Sequence, residues 1–158
     1  MDDFLKAAAE GDLDRLKALL AAGADINMAN EKHTTALHFA AWNGKSETAV
    51  FLIENGSDVR AGEGDGWTPL HDAIRKENSD MVLDLLHAAF GLDDVKNCKK
   101  QLYMKSNNRD EHYLELLRFA LRFDFRLDAL DISGSCLLED ATKRKYPTSV
   151  EFIRTSLR

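Results

Sequence analysis

His38 and His71 are the side chains in this sequence whose type best suits proton transfer or metal binding. They lie 33 residues apart in matching settings, Leu37-His38-Phe39-Ala40 and Leu70-His71-Asp72-Ala73. Recurrence at a fixed interval favours a structural role for both over a shared catalytic or metal site. Cys98 and Cys136 are far apart, and neither belongs to a CxxC or a Cys/His pair. In a chain with no export signal they read as reduced thiols. Gly62-Glu63-Gly64-Asp65-Gly66 is glycine-rich, but no Lys-Ser/Thr follows it, so a flexible hairpin tip is expected rather than a phosphate loop. GxSxG, HExxH and EF-hand patterns are absent from the sequence. The expectation is a non-enzyme with no cofactor and no metal. An enzyme using Cys98 or His112 in a cleft is the weakest alternative.

The totals fit a folded domain. The 158 residues are 44% hydrophobic and 30% charged, with a net charge of -6. An acidic balance argues against general nucleic-acid binding, which usually shows as a basic domain. No run approaches the roughly 18 apolar residues of a membrane span. Met1-Asp2-Asp3-Phe4 is acidic and lacks the basic start of a secretory signal, so a cytoplasmic protein is expected.

The elements that hold the histidines recur with them. Thr34-Thr35-Ala36-Leu37-His38-Phe39-Ala40-Ala41 returns as Trp67-Thr68-Pro69-Leu70-His71-Asp72-Ala73-Ile74. A period in this range signals stacked helical repeats, about four to five of them in this length. Thr-Pro-Leu-His-x-Ala at 33 residues is the ankyrin signature, and the sequence resembles the ankyrin-repeat family. The resemblance implies an all-α solenoid of helix-turn-helix repeats joined by hairpin-like loops. The expected domain is 1–158, with repeats near 1–29, 30–62, 63–91, 92–130 and 131–158. It implies that His38 and His71 are buried and tie neighbouring repeats together.

The first unit lacks the Thr-Pro-Leu-His start, and a solenoid's terminal repeat is expected to be atypical because one flank meets water. Leu13, Leu16, Leu19 and Leu20 share one helical face, and Gly23 is a left-handed stop. In the second unit Thr35 is placed to cap a helix, Leu37, Ala40 and Ala41 face inward, and Gly44 ends it. In the third, Pro69 suits the first helical position. There the pattern slips, since Glu77 and Ala89 stand where Gly44 and Gly56 stood; a longer second helix or a longer loop follows. The fourth unit is degenerate, with Leu114, Leu117, Ala120 and Leu121 as a stripe and a first helix expected within 99–107. Asp131 to Ala141 aligns with Glu63 to Ala73 at an offset of 68 residues, placing Glu139 where His71 stood.

The resemblance implies that a partner binds the concave side, through hairpin tips and exposed first-helix positions. These are Glu31, Lys32, Thr34, Trp42 and Asn43 in the second unit. In the third they are Gly64, Asp65, Trp67, Asp72, Arg75 and Lys76. In the fifth they are Ile132, Ser133, Ser135, Lys143 and Arg144. Trp42 is the sharpest, a large aromatic at a position pointing away from the core, and tryptophan and arginine are enriched in binding hot spots. Trp67 is expected to be partly packed. Arg75, Lys76, Lys99, Lys100, Lys105, Lys143, Arg144 and Lys145 fall in first-helix regions and would form a basic concave strip. Asp12, Asp14, Glu47, Asp80, Asp84, Glu115 and Glu151 map mostly to second helices.

The function expected is a protein–protein interaction module, an inhibitor of the immunity or antitoxin kind or an adaptor. It would be a monomer in the absence of its partner, which would present an acidic contact surface. The alternative is regulatory nucleic-acid contact through the basic strip. No membrane association is expected.

Overall fold

The computed structural model describes residues 2–90, 108–123, 125–131 and 133–158, and of Ala89 and Phe90 the backbone alone. The expected first helix within 99–107, together with Cys98 and Ile132, lies outside these residues. The described residues form helices α1 (Asp3–Glu10), α2 (Leu13–Ala21), α3 (Ala36–Trp42), α4 (Ser46–Glu54), α5 (Pro69–Arg75) and α6 (Ser79–Phe90). They continue with α7 (Arg109–Ala120), a 3₁₀ turn (Leu121–Phe123), α8 (Leu137–Lys143) and α9 (Pro147–Ser156). The helices pair as α1 with α2, α3 with α4, α5 with α6 and α8 with α9.

Local chemistry sets the boundaries. Asp2 and Asp12 cap α1 and α2 by accepting from the Phe4 and Arg15 amides at 2.9 and 3.0 Å. Four helices of the first row end on the same left-handed residue: Gly11 at φ 82°, Gly44 at 66°, Glu77 at 55° and Lys145 at 60°. Glu77 therefore keeps the backbone of the glycine it replaces. The break in the sequence pattern there is chemical and not conformational. α6 spans 12 residues against 9 for α4, so the slip at Ala89 lengthens the second helix.

Stacking runs in two rows. In the first, α1 packs on α3, α3 on α5, and α5 on α8; in the second, α4 packs on α6, α6 on α7 and α7 on α9. Ala36, Ala40, Ala41, Ala49 and Ala73 are fully buried, and their small side chains let the rows approach closely. Leu37, Leu52, Ile74, Val82, Leu86, Leu117 and Ile153 fill the space between them. The helix pairs thus share one continuous core, which is why none needs to fold alone.

The hairpin tip of the third unit packs on the boundary between the fourth and fifth, where Arg75 reaches Asp131 at 2.6 Å. The Asp65 amide donates to the Leu130 carbonyl at 2.9 Å. Gly64 is so close that a Cβ there would lie 2.5 Å from the Leu130 oxygen.

Candidate functional site

The two histidines hold the repeats in register. His38 Nδ1 accepts the Thr35 amide at 3.3 Å and lies 2.9 Å from the Thr35 hydroxyl. A backbone amide can only donate, so Nδ1 carries no proton and Nε2–H donates to the Trp67 carbonyl at 3.1 Å. His71 repeats the arrangement with Thr68, and its Nε2 donates to the Arg126 carbonyl at 2.7 Å. Burial lowers both imidazoles to about 4, against the pull of those carbonyl bonds. Each is a neutral bracket with both nitrogens engaged.

Several expected site residues converge on one cavity of about 470 Å³, lined by Asn30, Lys32, Thr34, His38, Phe39, Trp42, Glu63, Asp72, Arg75, Asp131 and Ser133. Trp42, at the end of α3, is 41% exposed. Lys76 Nζ stands 3.8 Å from the centre of its ring. A second depression of about 330 Å³ continues from Trp42 and Arg75 to Ser135, Asp140 and Lys143.

The structure corrects the environment expected for several of these side chains. Trp67 is fully buried, and its indole N–H donates to Asp72 Oδ1 at 2.7 Å. Thr34 and Asp72 are also buried. Arg75 is no free surface cation: its guanidinium lies 4.0 Å above the Trp67 ring, and Nη1 meets Asp131 Oδ2 at 2.6 Å. Arg144 is likewise engaged, by Glu77 at 2.7 Å and Asp140 at 2.9 Å. Both arginines spend their charge on internal carboxylates, because the third and fifth units meet there. Lys99, Lys100 and Lys105 lie outside the described residues. Lys32, Lys76, Lys143 and Lys145 remain exposed, alongside Glu31, Asp65 and Glu139. Asn43 is exposed and turns its Nδ2 back onto the Phe39 carbonyl at 2.8 Å, closing α3.

Five cavity residues were not among the expected contact positions, Asn30, His38, Phe39, Glu63 and Asp131, and the two acids among them matter most. The 33-residue alignment carries the signal, placing Glu63 at the position of Asn30, with Asp131 matching it in the fifth unit. Asn30 Oδ1 accepts the Lys32 and Thr34 amides, both at 3.0 Å. Asp131 Oδ1 accepts those of Ser133 and Ser135 at 2.8 and 2.9 Å. This is the local turn that short polar side chains make with their own backbone. Glu63 is one methylene longer, and its Oε2 is buried with no hydrogen-bond partner.

The electrostatics follow. Burial pushes Asp72 up to about 8, against the indole bond that favours its ionised form. Burial raises Glu63 too; the Thr34 hydroxyl is near enough to oppose this but completes no bond of good geometry. Burial alone would raise Asp131, yet the bonds from Ser133 and Arg75 outweigh it and hold that carboxyl at about 2. Among the described residues no His, Cys, Asp and Glu group is arranged to hold a metal ion, and no helix is long and apolar enough to cross a membrane.

Comparison with known proteins agrees with this architecture. The family description "Ankyrin repeats (3 copies)" matches residues 4–100. The chain is 36% identical over 92 residues to the putative palmitoyltransferase ZDHHC13 of Danio rerio, covering 58% of this chain and 14% of that protein. It is 30% identical over 148 residues to inversin of Canis lupus familiaris, covering 92% of this chain and 13% of that one. It is 36% identical over 77 residues to the potassium channel AKT1 of Oryza sativa subsp. indica, covering 49% and 8%. The chain therefore spans only 8 to 14% of the length of these relatives. Ankyrin repeats generally mediate protein–protein interaction, and the family is typically non-enzymatic. The matched residues are more than half of this chain, which belongs to the ankyrin-repeat family.

Proposed function

We propose that this chain is a non-enzymatic interaction module that binds a partner protein on its concave face, along the first-helix row and the hairpin tips. It acts there as an inhibitor or an adaptor. The observation that carries the reading is Trp42: a large aromatic, 41% exposed, at the mouth of the cavity and braced by Lys76. An aromatic anchor beside a concavity is the usual core of a binding hot spot.

The charge of the partner is set by what remains free at the rim. With Arg75 and Arg144 engaged internally, an acidic contact surface would be met by Lys32, Lys76, Lys143 and Lys145. Nucleic-acid contact loses two of its arginines by the same pairing and is not favoured. Monomeric behaviour without the partner and a cytoplasmic site of action complete the proposal.

The test is a pulldown from cell extract with wild type, Trp42→Ala and Lys76→Glu. Arg75→Glu is a poor probe, since it would break the Asp131 pair inside the fold. The expected result is one protein retained by wild type and lost with both variants, with binding weakened about tenfold from low to physiological salt. Equal recovery with all three proteins would refute the concave-face reading.

A further inference from the structure

The cavity beside Trp42 contains three carboxyl groups, Glu63, Asp72 and Asp131, and within its wall one guanidinium, Arg75. Asp131 binds one arm of that guanidinium through Oδ2, leaving Arg75 Nε without a partner, and accepts the hairpin amides through Oδ1. Asp72 is held by the Trp67 indole. Glu63 is the member left over: the residue is only 6% exposed, it lines the cavity, and Oε2 has no partner. A buried carboxylate oxygen without a bond gives up its hydration and gets nothing in return.

We propose that this cavity receives one basic side chain of the partner protein, an arginine by preference, with its guanidinium on Glu63 Oε2 and its stem along Phe39 and Trp42. Arginine suits the site better than lysine. Its guanidinium is more weakly hydrated, and its planar donors can meet a carboxylate and an aromatic face together. The volume of about 470 Å³ has room for such a side chain. This inference rests on the concave-face reading above and adds the chemistry of one central contact.

Protons give the site a signature. Glu63 is faced by Lys32 from its neighbouring hairpin tip, by His38 of α3, by Asp72 and Arg75 of α5, and by Asp131. Burial favours the neutral forms of Glu63 and Asp72 in the empty cavity. An arriving cation favours the ionised forms of both, so binding releases protons and strengthens as pH rises, with Asp72, at about 8 in the empty cavity, placing that change between pH 6 and 8.

The test titrates N-acetyl-arginine methylamide into the intact protein and follows the Trp42 indole N–H by NMR, at pH 6 and pH 8. N-acetyl-glutamine methylamide serves as the neutral control. The expected result is saturable movement of the Trp42 signal with the arginine compound alone, tighter at pH 8, and about tenfold weaker in Glu63→Gln. Equal response to both compounds, no dependence on pH, or full binding by Glu63→Gln overturns the proposal. If Glu63→Gln does not fold, the wild-type comparison of compounds and pH decides. Should the arginine compound fail while Trp42→Ala still loses the partner, only the central contact is wrong and the concave-face reading stands.

Discussion

Glu77 and Arg144, 67 residues apart in sequence, meet at 2.7 Å between the third and fifth units. The same carboxylate accepts from the Tyr146 hydroxyl at 3.0 Å and from Arg109 Nη2 at 3.0 Å. Its backbone has the left-handed φ of 55° that glycine supplies at the corresponding place in the second unit. The chain accepts this conformation and gains a charged hub where its repeat pattern is weakest. Glu77→Ala should lower stability by roughly 2 kcal/mol, since the half-buried Arg144 loses one of its carboxylates. Glu77→Gly should recover about 1 kcal/mol of that loss by relieving the left-handed strain. Thermal unfolding reads both. Hydrogen exchange should quicken in α8 and α9 and hold in α1 to α4, because repeat stability is set by nearest neighbours.

Stability should peak near pH 6.5. His38 and His71 titrate at about 4 in the folded chain and ordinarily at 6.5, so the unfolded chain binds more protons between those values. Their contribution is complete above pH 6.5 and is lost as pH falls towards 4. Asp72, raised from 3.8 to about 8, has the opposite sign: the folded chain keeps its proton, and stability declines as pH rises towards 8. Below pH 6.5 the two histidines outweigh Asp72; above it Asp72 leads the decline, at no more than about 1.4 kcal/mol per pH unit, and Glu63, raised by burial, acts in the same direction. Asp72→Asn should shrink the alkaline decline and leave the acid limb in place. Urea unfolding from pH 5 to pH 9 measures both limbs.

Gly64 and Gly23 separate backbone conformation from close approach. Both have positive φ, 55° and 93°. A Cβ on Gly23 would meet nothing within 4 Å, whereas on Gly64 it would press into the Leu130 and Asp131 backbone. Gly23→Ala should therefore cost only about 1 kcal/mol. Gly64→Ala should cost more and unsettle the junction with the fifth unit, seen as faster exchange of the Asp65 and Leu130 amides.

The fold was legible where the repeat is regular. Thr35, Leu37, His38 and Ala40 lie where the 33-residue period puts them, and the histidine ties follow from it. Trp42 was legible as well, since a large aromatic past Ala40-Ala41 has no core position to occupy. The charges were not. Whether Arg75 faces solvent or Asp131 depends on the third unit's contact with the fifth, and no local pattern encodes a pairing across 56 residues. Glu63 was not legible either, because a polar residue at a hairpin tip looks like any other. Only the carbon that separates it from Asn30 and Asp131 leaves its carboxylate without the backbone bonds they make.

The face used for binding can be read by photocrosslinking from single positions. A benzophenone amino acid at position 42, beside the cavity, should trap the partner, and one at exposed Glu47 on α4 should trap nothing. Adducts from position 47 with none from position 42 would contradict the account.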